Sequence, residues 1–130
     1  MALTLAAVAA LNLGDVEGYL SFFSAGALRW VAGVEQPFTK DDIREQLVAL
    51  AIGLESLVLE EQLIFGSDGH VFARWIMRGK HVGPLYGIPA TGRAIEVESV
   101  EVYAFEGPTI TASQVYGDPM SLLRQVGVSV

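Results

Sequence analysis

Along the first half of the chain apolar residues recur at intervals of three and four, and along the second half at intervals of two. Residues 3–12 read as a helix ending near Gly14. Asp15, a good N-cap, starts a second helix in which Val16, Tyr19, Leu20 and Phe23 share a face. Ala27 to Val34 reads as a short strand, broken by Pro37. Thr39 then caps residues 39–57, the strongest helical pattern, with Asp42 three after the cap and Ile43, Leu47, Leu50 and Leu54 on one side. From Leu57 the period becomes two. Residues 57–65 read as a strand, Gly66 to Gly69 as a hairpin turn and residues 70–80 as the partner strand. Residues 93–106 and 109–118 form a second hairpin across Gly107 and Pro108, and residues 119–128 a final helical turn. Helices followed by about four long antiparallel strands indicate an α+β fold, with helices covering one face of a curved sheet.

Composition narrows what such a fold can do. A chain of 130 residues suits one domain, here residues 1–130, and 52% apolar residues suffice for a sizeable core. A net charge of −7 argues against nucleic acid and anionic membranes as partners. There is no G-x-G-x-x-G after a strand and no Walker-type loop, so no cofactor held by its phosphates is expected. No apolar run reaches the roughly 20 residues of a membrane span. Without cysteine, disulfides, thiolate nucleophiles and cysteine metal sites are excluded. The two histidines, His70 and His81, are too few for a multi-histidine zinc site in one chain. The opening MALTLAAVAALNLG lacks a basic n-region, which points to a helix of a cytoplasmic protein rather than a signal peptide.

One stretch breaks the strand pattern. GKHVGPLYGIPATGR, Gly79 to Arg93, carries four glycines and two prolines, residues that let a chain leave one strand and re-enter the next. Its spacing meets G-x-H-x-G-x-x-x-G-x-x-x-T-G-[KR] at Gly79, His81, Gly83, Gly87, Thr91, Gly92 and Arg93. Further on, D-x-x-x-L-L-x-Q-[LV]-G is met at Asp118, Leu122, Leu123, Gln125, Val126 and Gly127. On these residues the chain resembles the SnoaL-like polyketide cyclases of the nuclear transport factor 2-like superfamily. That resemblance implies a cone-shaped α+β barrel whose strongly curved, mostly antiparallel sheet encloses an apolar pocket for one hydrophobic small molecule. It also implies no cofactor and a homodimer paired across the sheet. Two departures stand out. Ala112 and Gln114 occupy the places of a Glu and a Trp common in the family's last strand, and Ala104 replaces an Arg.

Candidate chemistry rests on few residues. His81, at the start of the insert, has an ordinary pKa near 6.5 and suits acid/base work; its structural alternative is a turn histidine bonded to the loop. Asp118 is a second acid/base candidate if it faces the cavity, and a cap for the tail helix if it does not. In residues 93–106, alternation places Glu101 with Ile95, Val97, Tyr103 and Phe105, and Glu96 and Glu98 on the other, solvated face. A carboxylate among apolar neighbours requires a partner, and Arg74 on the facing strand is the expected one. Tyr19, Phe23, Trp30, Trp75, Tyr86 and Tyr103, with Arg74, are the expected pocket walls. Arg74 and Arg78 share one strand face and Trp75, Met77 and His81 the other, but periodicity leaves open which face lines the pocket, and Arg29 and Trp30 share that ambiguity. The resemblance implies aldol-type ring closure by an acid/base pair; the scarcity of polar pocket candidates in this sequence adds a second chemistry, pericyclic closure in which the cavity folds a polyene. The alternatives are an epoxide hydrolase or hydroxylase on the same fold, with Asp118, Glu101 and Arg74 around a water, and a non-catalytic carrier of hydrophobic ligands.

Overall fold

The computed structural model describes residues 1–128. Helices α1 (Ala2–Asn12), α2 (Val16–Leu20) and α3 (Lys40–Gly53) precede most of the sheet, and α4 (Pro119–Gln125) follows it. The strands are β1 (Phe23–Val31), β2 (Leu54–Ser67), β3 (His70–His81), β4 (Ala94–Glu106) and β5 (Thr109–Gly117), in the spatial order β1-β5-β4-β3-β2. The meander β2–β5 is antiparallel, whereas β1 lies parallel to β5. This is the expected α+β architecture.

Local signals account for most boundaries. Asp15 caps α2 by accepting from the Gly18 amide at 2.8 Å. Thr39 and Asp42 form a reciprocal capping box at the start of α3, at 2.9 and 3.2 Å. Two boundaries differ from the sequence pattern. Phe23 opens β1 instead of ending α2, because it pairs with Ile110 while the Ile110 amide donates to Phe22 O. Strand pairing there overrides a helical spacing of apolar residues. Likewise α3 ends at Gly53, and β2 begins at Leu54. The loop after β3 crosses that helix end, and the amides of Val82 and Gly83 both donate to Gly53 O. A Cβ on Gly83 would lie 2.4 Å from Ile52 O, and one on Gly53 would lie 2.9 Å from Pro84 O. Only glycine permits so close a crossing.

The sheet separates two environments. Its inner face, under the helices, holds the main core cluster, which includes Ala7, Val8, Leu20, Ile43, Leu47, Val71, Ala73 and Ile110. A second cluster, with Leu54, Leu85, Ile95, Val97, Leu122 and Val126, fills the end beneath α4. On the outer face one transverse row runs through register partners Phe65, Phe72, Val102, Gln114 and Trp30. Adjacent inner rows run through Gly66, Val71, Tyr103, Ser113 and Arg29, and through Ile64, Ala73, Glu101, Val115 and Val31.

Candidate functional site

Those two inner rows place an ion pair in the core. Arg29 and Glu101 are 6% and 7% exposed, and Arg29 Nη2 lies 3.0 Å from Glu101 Oε2. The guanidinium is held from three sides. Its Nε donates to Ser113 Oγ at 3.3 Å and its Nη2 to the Tyr19 hydroxyl at 2.5 Å. It also sits 5.9 Å from the Tyr19 ring centre and 5.6 Å from that of Phe23, close enough for cation–π attraction. Tyr19 and Phe23 in turn pack at 5.0 Å between ring centres.

Electrostatics follow from burial. Burial pulls the Arg29 pKa down, but the facing Glu101 and the two phenols outweigh it and hold the guanidinium above its ordinary value. Burial pushes the Tyr19 phenol up to about 12, against the opposing pull of Arg29. Tyr103 is raised well above the ordinary phenol value, first by burial and then by the charge of Glu101. The cluster is therefore a fixed cation beside a carboxylate, flanked by two phenols that keep their protons.

The inner face also carries polar atoms without hydrogen-bond partners. These are Tyr103 OH, Trp75 Nε1, His81 Nε2 and Glu101 Oε2, the last ion-paired to Arg29 but not aligned as a hydrogen bond; Thr4 Oγ1 on α1 is a fifth. Buried polar groups in folded proteins are nearly always paired; here the Tyr103 hydroxyl interacts with Glu101 and Tyr19 without a well-aligned hydrogen bond, and Trp75 Nε1 has no acceptor among the described residues.

The expected site residues divide between this cluster and other places. Glu101, Tyr19, Phe23, Tyr103 and Trp75 are all buried on the inner side. His81 is also fully buried, but at the far end of β3, eight residues from Ala73, the partner of Glu101. That spacing is roughly 26 Å of extended strand, so β3 does not bring His81 and Glu101 together. The His81 ring instead ties down the insert: Nδ1 sits 2.9 Å from Thr91 Oγ1 and accepts from the Thr91 amide at 3.3 Å.

Four expected site residues lie elsewhere. Asp118 is exposed and caps α4, accepting from the Ser121 amide at 3.0 Å, because Pro119 starts the helix directly after it. Arg74 lies on the outer face and pairs with Glu98 at 3.7 Å, so it is not the partner of Glu101; alternation puts the two on opposite sides of the sheet. Trp30 is 45% exposed on that outer face, and Tyr86 is 64% exposed at the tip of the insert. Neither aromatic reaches the inner cluster. An open cavity was also expected around the site, yet Trp75 and Tyr103 are packed to full burial. A concavity of about 290 Å³ beside the core opens between α1, α3 and β2.

Arg29 is the member of this cluster least visible in the sequence, although a signal existed. An arginine inside the apolar strand ALRWV requires a buried partner, and Glu101 is the carboxylate that alternation assigns to an apolar face. The second motif proves to be a buckle. Gln125 Oε1 accepts from the Glu96 amide at 2.7 Å and its Nε2 donates to Glu96 O at 2.8 Å, while Arg93 donates to Gln125 O at 3.3 Å. Gly127, at φ +94°, lies against that Arg93 guanidinium.

Comparisons with known proteins agree with this architecture. The proposed hydroxylase AclR from Streptomyces galilaeus is 22% identical, with a TM-score of 0.90 over 97% of this chain and 93% of that one. TsrD from Streptomyces laurentii is 25% identical, with a TM-score of 0.84 over 98% and 93%. The proposed polyketide cyclase IdmH from Streptomyces antibioticus is 21% identical, with a TM-score of 0.84 over 97% and 96%. No protein of curated function matches the chain in sequence. The model of the SnoaL-like polyketide cyclases matches residues 2–126. With nearly its whole length accounted for by that match, the chain belongs to the SnoaL-like polyketide cyclase family.

Proposed function

We propose that the protein is a cofactor-independent cyclase that closes a ring in a hydrophobic, polyketide-type intermediate, at the Arg29–Glu101 cluster. The observation that carries this reading is the set of unpartnered polar atoms of Trp75, Glu101 and Tyr103 on one inner face. The Glu101 carboxylate takes a proton from the carbon beside a substrate carbonyl, whose oxygen becomes an enolate. The carbanionic carbon attacks a second carbonyl of the same molecule, and a carbon–carbon bond forms. The resulting alkoxide recovers the proton, directly from Glu101 or through the Tyr103 hydroxyl. Arg29 and the protonated phenols stabilise the negative oxygen in a site shielded from water. Holding the two carbons in contact supplies a further part of the barrier lowering.

Glu101 is the one buried carboxylate among the described residues, which favours ring closure over epoxide opening by a carboxylate pair. His81 then serves to hold the insert in place. Rates of ring formation from a linear poly-carbonyl substrate, followed by mass spectrometry, test the assignment. Glu101→Gln loses about three orders of magnitude if the carboxylate is the base. Near-complete retention would move the mechanism to shape-driven, pericyclic closure.

The same reading puts the enzyme in natural-product biosynthesis in the cytoplasm, as a homodimer. The outer row supports the dimer: Leu63, Phe65, Trp30 and Tyr116 are each about half exposed on one sheet face, and Phe65 stacks on Phe72 at 4.9 Å. Light scattering should give twice the chain mass, reverting to one chain in Phe65→Glu; a monomeric parent chain would end the dimer proposal.

A further inference from the structure

We infer that the concavity between α1, α3 and β2 is the entrance through which an apolar, carbonyl-bearing molecule reaches the inner face. This rests on the proposed use of that face as the reaction site. The concavity is lined by Leu11, Asn12, Leu47, Ala51, Leu54 and Leu57, among others, and its volume of about 290 Å³ is near the lower bound of small-molecule pockets.

Three of its walls are also walls of the interior. Leu11 and Leu47 belong to the same core cluster as Trp75 and Tyr103, and Leu54 belongs to the cluster beneath α4 and pairs with His81. Leu11 and Leu47 therefore line the opening on one side and belong to the core around Trp75 and Tyr103 on the other. The frame around them is fixed. Asn12 bonds Leu59 in both directions, at 2.8 and 3.0 Å, which joins the end of α1 to β2. Gly53 O, at the end of α3, accepts from two amides of the insert. Between these posts the backbone leaves the regular ladder: β2 shifts register between Glu55 and Val58, and Ser56 adopts φ 55°. The lip is apolar at Leu13, which is 86% exposed.

Other openings suit this role less well. A larger concavity, about 460 Å³, carries the carboxylates of Asp42 and Glu45 beside Val34, Pro37 and Phe38, whereas no charged residue among those described lines the opening between α1, α3 and β2. Those of about 190 and 230 Å³ include Trp30 and Gln114 on the outer face, across the sheet from Trp75.

The test uses the full chain carrying Trp30→Phe, so that Trp75 is the only tryptophan. The probes are 2-acetylnaphthalene and its near-isostere 2-isopropenylnaphthalene, which lacks the carbonyl oxygen. The carbonyl probe should move the Trp75 indole N–H resonance downfield, and the hydrocarbon should not. Stopped-flow quenching of Trp75 emission then gives the rates. Ala51→Phe and Leu57→Phe should slow association and dissociation together by about tenfold, leaving Kd within about twofold. Glu45→Phe, in the larger concavity, should change neither rate. An indole shift with rates untouched by Ala51→Phe and Leu57→Phe overturns the entrance and leaves the inner site standing. Slowing by Glu45→Phe instead moves the entrance to the larger opening. No indole shift up to the probe's solubility overturns both the entrance and the inner site.

Discussion

Removing one member of the Arg29–Glu101 pair should be far more damaging than removing both. The two side chains are 7% and 9% exposed, with charges 3.0 Å apart. At an effective dielectric of about 20 their attraction is roughly 5 kcal/mol, most of which offsets the desolvation of two ions. Glu101→Met deletes the attraction but leaves a guanidinium that burial still penalises, and Arg29→Met does the converse. Each should cost about 3–5 kcal/mol. For a chain of this size that corresponds to a melting temperature lower by roughly 10–20 °C. The double variant replaces both ions by apolar side chains of similar length and should return to within about 1 kcal/mol of the parent. Urea unfolding at neutral pH, followed by circular dichroism, completes the cycle. A single-variant cost below about 1 kcal/mol, or a double variant whose cost is the sum of the singles, would refute the reasoning that the pair is buried and mutually dependent.

The phenols give a pH prediction. Tyr19 has a folded pKa of about 12, above its ordinary value of 10.0, so its contribution is complete below pH 10 and is lost as pH rises towards 12. That difference corresponds to about 3 kcal/mol, and Tyr103 adds to it in the same direction. Absorbance near 295 nm should show both phenols ionising together with loss of structure; their ionisation in the intact fold would contradict their burial. Asp118→Ala should lower stability by about 1 kcal/mol through loss of the α4 cap, Asp118→Asn should be nearly neutral, and ring closure should proceed in both. A thousandfold rate loss in Asp118→Asn would reinstate that carboxylate as the base. Thr91→Val removes a partner of the His81 ring and should cost about 1–2 kcal/mol in urea unfolding, with ring closure little changed. A large rate loss at unchanged stability would give His81 a direct part in the reaction.

Much of this was legible in advance, for physical reasons that differ by element. The inward position of Glu101 follows from strict alternation along β4, where Ile95, Val97 and Tyr103 are indeed its buried companions. The cap of α3 follows from the spacing of Thr39 and Asp42. The partner of Glu101 did not follow, because Arg29 and Glu101 meet only through the parallel pairing of β1 with β5. Arg74 is nearer in sequence, and a choice by proximity selects it although alternation sends its side chain outward. The insert and tail motifs carried a real signal of fold. Their residues, however, make hydrogen bonds within the frame: His81 to Thr91, and Gln125 to Glu96.

The parallel contact between β1 and β5 also sets when the ion pair can exist. Arg29 and Ser113 are 84 positions apart. A chain emerging from the ribosome thus carries the arginine, with Tyr19 and Phe23 already made, long before Glu101 and Ser113 exist to complete its setting. Until β5 has been synthesised, β1 has no neighbour in the sheet. Contacts of such long range form late and slowly. The hairpin of β2 and β3 can form from local pairing alone, whereas the Arg29–Glu101 pair is framed only once β5 has been made. An incomplete chain could therefore hold part of the sheet and still have no site.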